Sequence, residues 1–144
     1  MAEIKLELVR YQIEKAYSKL SVARDLIRTN HFADSVGASY YAIFSAIRAL
    51  LMLKEINTKT HEGAITMFNK YFVLDKKFPP GINKLIRDAK DIRERSDYGG
   101  FFIVEKKTAE TYVEQAEQFV KRAEETMTEF LLRQNKRNNK RSNK

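Results

Sequence analysis

The chain is predicted to fold as an all-α, antiparallel bundle of four to five helices. Two observations carry that expectation. Apolar residues recur at spacings of three and four through most of the 144 residues. No run rich in Val, Ile and Thr alternates apolar with polar in the manner of a strand. Length and a hydrophobic fraction of 43% fit one domain with a real core.

The first helix spans about Glu3 to Arg28. Leu6, Val9, Ile13, Ala16, Leu20, Ala23 and Ile27 form one stripe, and Glu7, Arg10, Glu14 and Lys15 fall off it. Thr29-Asn30-His31 breaks the pattern, making His31 a loop residue. The second helix, about Phe32 to Lys54, contains SVGASYYAIFSAIRALLML, apolar or small nearly all round, as expected of a helix buried among several others. Arg48 is the fixed charge in the middle of that run, so it must reach the surface or face a cleft or partner. Thr60 is an N-cap for a third helix over about His61 to Tyr71, with His61 in its first turn. The loop DKKFPP follows. A fourth helix runs from about Gly81 to Ser96 and is ended by Gly99-Gly100. The fifth covers about Thr108 to Leu132, with Tyr112, Ala116, Phe119, Ala123, Met127 and Phe130 on one face.

Composition removes several function classes. There is no cysteine, and the two histidines are too few for a histidine-rich metal site, so no metal and no cofactor is expected. The N-terminal MAEIKLELVRYQ is charged and periodic, unlike a signal peptide. No uninterrupted apolar run approaches bilayer length, and a cytoplasmic protein with no membrane association is the expectation. The net charge of +8 is unevenly placed. Of 27 Lys and Arg residues, six lie in RQNKRNNKRSNK, from Arg133 onward, which has no acid; the other 21 oppose 19 acidic residues. Residues 1–132 are therefore read as the domain and 133–144 as a basic, disordered tail, either merely solvated or able to touch phosphates.

Chemistry concentrates in Asp91 to Phe102, DIRERSDYGGFF. Arg93, Arg95, Asp97 and Tyr98 gather fixed positive charge and titratable oxygens at a helix end. Arg93 and Arg95, with Arg48, are candidate phosphate ligands; Asp97 is a candidate base or an orienting partner for an arginine.

SYYAIFSAIRALLMLKEI, the following KTHEGAITMFNKYF, and RERSDY before a glycine turn together resemble the HEPN domain, in its small stand-alone prokaryotic branch. The resemblance covers most of the chain. It implies a helical bundle, often a homodimer with a shared cleft. Many members are metal-independent ribonucleases, often toxins paired with a small nucleotidyltransferase. Their motif is an arginine followed, after four to six residues, by a histidine. Arg93 matches the arginine, but Tyr98 stands where a histidine would be. Tyrosine ionises near pH 10 and is a poor base, so the site is better equipped to hold a phosphate than to cut beside it. Three readings follow: an RNA- or nucleotide-binding module in a toxin–antitoxin-like system with a nucleotidyltransferase partner; an active ribonuclease whose catalytic set is Arg93 with Asp97, Tyr98 or a distant His61; or a structural helical dimer without ligand. Apolar residues on two faces of the second helix, with Phe101 and Phe102, suggest more apolar surface than one small bundle hides, which points to a homodimer.

Overall fold

The computed structural model describes residues 3–74, 78, 81–97 and 103–142. Its helices are α1 (Glu3–Arg28), α2 (Phe32–Leu53), α3 (His61–Phe68), α4 (Ile82–Asp97) and α5 (Lys106–Ser142), with no strand among the described residues. The all-α expectation therefore holds. Tyr98, Gly99, Gly100, Phe101 and Phe102, and most of the DKKFPP loop, lie outside the described residues.

α2 is the axis of the bundle and packs against α1, α3, α4 and α5. Tyr40, Ile43, Ile47 and Leu50 on it are fully buried. By length and hydropathy α2 could cross a membrane, yet 78% of its most apolar stretch is buried inside the protein. Burial by the chain's own helices accounts for its composition. Much of the apolar surface on which the sequence argument for a dimer drew is thus covered within one chain.

α1 and α2 are joined by a tight stop. His31 N–H donates to Leu26 O at 2.7 Å and Asn30 N–H to Ile27 O at 3.0 Å, with Asn30 at φ 63°. This paired-bond helix ending needs a left-handed residue, and asparagine tolerates that conformation better than most. The two helices are antiparallel: Ser35 Oγ donates to Ala23 O at 2.8 Å near one end, and Lys5 meets Glu55 at 2.6 Å near the other. α2 ends the same way as α1, with Glu55 at φ 57° and bonds from Glu55 N–H and Ile56 N–H to Met52 O and Leu51 O. That reversal carries the chain back so that α3 begins beside the middle of α2.

Thr60 caps α3 as its sequence indicates, its Oγ1 accepting from Gly63 N–H at 2.9 Å. The helix does not continue as an α-helix to Tyr71. It widens into a π-helical turn over Asn69–Val73 that keeps Phe68 and Phe72 both buried, their rings stacked at 5.7 Å. Phe78 and Phe119 join them in one aromatic cluster. α5 runs antiparallel to α1, as Tyr17–Glu124 and Arg24–Glu117 contacts show. It continues to Ser142 rather than ending near Leu132, so the segment anticipated as an unstructured tail is helical up to that residue. No glycine or proline interrupts it, and cations near a helix C-terminus oppose the negative end of the dipole.

Candidate functional site

Arg93 stands in the last turns of α4, facing the first half of α2. Its guanidinium carbon lies 4.7 Å from the centroid of the Tyr41 ring and 5.9 Å from that of Tyr40. Its Nε is 3.5 Å from Asp97 Oδ2, one turn on, and its side chain is 27% exposed. The group is therefore neither sealed in nor loose in solvent. Contact with the tyrosine faces holds its stem and plane, while part of the fork stays accessible. Gly37 of α2 lies beneath the Arg93 stem, and a Cβ there would meet Arg93 Cγ at 3.7 Å, an ordinary contact distance.

Arg93 and Asp97 line a cavity of about 290 Å³ with Lys19 of α1 and Asp34, Gly37 and Tyr41 of α2. The wall of α2 here is its first turns, where backbone N–H groups and the positive end of the helix dipole favour an anion. Asp34 and Asp97 oppose that preference, and Asp97 is already engaged by Arg93. Part of the Arg93 fork is thus already occupied by a carboxylate of its own helix.

A second cavity of about 340 Å³ adjoins the first through the shared residues Lys19 and Tyr41. It is lined by Gln12, Lys15 and Lys19 of α1, Arg48 of α2 and His61 of α3. Sequence reasoning left Arg48 between two outcomes, and it meets both. It is exposed, and its guanidinium lies 5.1 Å from the Phe44 ring centroid while lining this cavity.

From sequence, His61 is a first-turn residue of α3 and only a distant candidate for a catalytic set. The structure stacks its ring on Phe44 at 3.9 Å and sets Nδ1 at 3.2 Å from the Tyr40 hydroxyl. Burial, then the charges of Arg48, Arg93 and Lys90, push its pKa below the ordinary histidine value of 6.5. Burial raises the Tyr40 pKa, against a lowering by Arg93. Tyr40 therefore stays protonated and His61 neutral at pH 7. With the imidazole proton on Nε2, the hydroxyl donates to Nδ1.

The remaining sequence candidates separate. Arg95, two residues from Arg93, projects from the opposite side of α4, pairs with Asp91 at 3.3 Å and lines neither cavity. Tyr98 falls outside the described residues, and His31 Nδ1 meets Thr29 Oγ1 at 3.0 Å in the α1–α2 turn. No group of three or more His, Asp or Glu side chains suited to a metal occurs among the described residues.

The sequence profile of the HEPN domain matches residues 9–126, which contain α2, α3 and α4 whole, most of α1 and the first half of α5. The chain belongs to the HEPN domain family. "Putative toxin MJ0605" of Methanocaldococcus jannaschii is a HEPN-family relative, 34% identical over 125 residues, covering 87% of this chain and 92% of its own. "Putative toxin MJ0142" of the same organism is 33% identical over 98 residues, 68% of this chain and 67% of its own. A UPF0332 protein of Thermotoga maritima is 27% identical over 116 residues, 81% of this chain and 88% of its own. Within this HEPN chain, Arg93 of RERSDY and Tyr41 of SYYAIF meet at the first cavity, with Tyr40 buried behind them.

Proposed function

We propose that this is a toxin-type HEPN protein whose Arg93 cavity binds a phosphate of RNA or of a nucleotide and holds it without cutting. The observation that carries the reading is the guanidinium itself. It is oriented by Tyr41 and Asp97, part-exposed, and set at the start of α2 beside Lys19. A fixed, weakly hydrated cation with open N–H donors is suited to phosphate. Two relatives carrying the word toxin in their names support the wider class. A homodimer and a nucleotidyltransferase partner belong to the same proposal; a monomeric mass by light scattering at micromolar concentration would remove the dimer.

The direct test is anisotropy of labelled single-stranded RNA in low and moderate salt. Arg93→Ala is expected to weaken binding about tenfold or more, the scale of one charge-assisted hydrogen bond. Melting should change little, since a part-exposed ion pair contributes at most about 1 kcal/mol. Unchanged affinity in Arg93→Ala would refute the reading, as would loss of all binding on removing residues 133–144.

Cleavage is the second reading, and His61 favours it, because a neutral imidazole lines the cavity next to Arg93's. RNA incubated in EDTA decides between the two. Cutting that disappears in both Arg93→Ala and His61→Gln would establish a nuclease.

A further inference from the structure

Building on the phosphate reading of the Arg93 cavity, we infer that the adjoining cavity of Gln12, Lys15, Lys19, Arg48 and His61 is a second anion subsite, so the ligand is a chain of two or more linked nucleotides. Three features of the cavity point the same way. First, three cations line it from two helices, Lys15 and Lys19 from α1 and Arg48 from α2, and no carboxylate is among its lining residues. By contrast, Asp34 and Asp97 line the Arg93 cavity. Second, Gln12 lines the cavity, and its side-chain oxygen, turned away from solvent, has no hydrogen-bond partner, so a turn of the amide would bring it to a ligand. An orphan acceptor asks for a donor, and a phosphate oxygen is not one. A ribose hydroxyl or a base N–H beside the phosphate is. Third, His61 presents an imidazole whose Nδ1 is already used by Tyr40, leaving Nε2 to meet a ligand.

The two cavities share Lys19 and Tyr41 and are not alternatives for one phosphate. Gly37, which lines only the Arg93 cavity, and Arg48, which lines only the other, are three turns apart on α2, about 16 Å along its axis. One phosphate cannot touch both ends, whereas successive phosphates of an extended strand can.

His61 gives the subsite a proton-linked signature. The charged groups around it are Arg48 on α2, Lys15 and Lys19 on α1, Lys90, Arg93 and Glu94 on α4, and Glu62 on α3; Lys90 pairs with Glu62 at 3.4 Å and with Glu94 at 3.9 Å. Without ligand, cations predominate and the imidazole resists protonation. A phosphate in the cavity reverses the local sign, so binding draws a proton onto His61.

Oligodeoxyuridylates of one, two and six nucleotides test this, because they lack the 2′-hydroxyl and cannot be cut through it. In the wild type, affinity should rise from one nucleotide to two, with a steeper salt dependence, by about 0.7 in log–log slope for each added phosphate contact. Arg48→Gln and Lys15→Gln, both at exposed positions, should remove that gain, about tenfold for the arginine, so that the dinucleotide binds no better than the mononucleotide. Affinity for the dinucleotide should increase from pH 8 to pH 6, and His61→Gln should flatten the rise. If no probe binds the wild type, the phosphate reading itself fails and the subsite with it. If binding depends on Arg93 while Arg48→Gln, Lys15→Gln and His61→Gln all behave as wild type, the second subsite alone is overturned.

Discussion

Two concavities on this molecule invite opposite judgements. The groove between α4 and α5 is the larger, about 720 Å³ against 290 Å³ for the Arg93 cavity. Its walls are Phe78, Ile82, Leu85, Tyr112 and Phe119, with Lys84, Asp88 and Arg122 toward the opening. It is the outer side of the aromatic core, where two helices that both lean on α2 diverge. The Arg93 cavity is small but holds an oriented guanidinium and a helix start, and shares Lys19 and Tyr41 with the cavity that His61 lines. Volume records where packing leaves room; recognition of an anion depends on which groups are held still around the space.

If that contrast is right, damage on the two sides should have different consequences. The largest expected effect is on the α4–α5 side. Phe119 is 3% exposed and touches the Phe68 and Phe78 rings, so Phe119→Ala should cost about 3–5 kcal/mol in denaturant unfolding. A loss below about 1 kcal/mol would mean the cluster is not core. Next, Lys84→Ala in the same groove should leave RNA affinity unchanged, where Arg93→Ala lowers it about tenfold. Equal losses would erase the distinction.

Gly37→Ala separates stability from binding within one residue. A methyl at ordinary contact distance from Arg93 Cγ, in a helix interior, should stabilise by about 0.5–1 kcal/mol. It also narrows the Arg93 cavity, so melting temperature should rise while affinity falls; a parallel rise in both would contradict the placement of the ligand. The smallest effect is the pH profile of the free protein. Folded His61 binds its proton less tightly than the unfolded chain does. Its contribution is complete above about pH 6.5 and declines as pH falls below that. Replacing His61 with Gln should remove that part of the acid-side slope in thermal melts, and an unchanged slope would show that other groups cause it.

How far the sequence revealed this arrangement depends on how local each feature is. The bounds of α1 and α2 and the Thr60 cap follow from periodicity and one hydroxyl, and the structure agrees nearly to the residue. The π-turn at Asn69–Val73 does not, because one residue more per turn leaves the buried phenylalanines four apart, as an α-helix would. His61 eluded the reading for a different reason. Its place beside Phe44 depends on Glu55 adopting a left-handed conformation, and glutamate gives no hint of that. Arg93 could be singled out from its helix end and family motif, but its tyrosine contacts needed the packing of α4 on α2.

The length of α5 has a consequence of its own. Arg133, Lys136, Arg137, Lys140 and Arg141 recur at intervals of three and four along the last turns, so in helical form they make one continuous positive ridge. Like charges so placed repel by about 0.2–0.5 kcal/mol a pair, and dissolved ions weaken that repulsion. Salt, which loosens any grip the protein has on nucleic acid, should therefore firm up this terminal rod, and circular dichroism would record the gain as added ellipticity at high ionic strength.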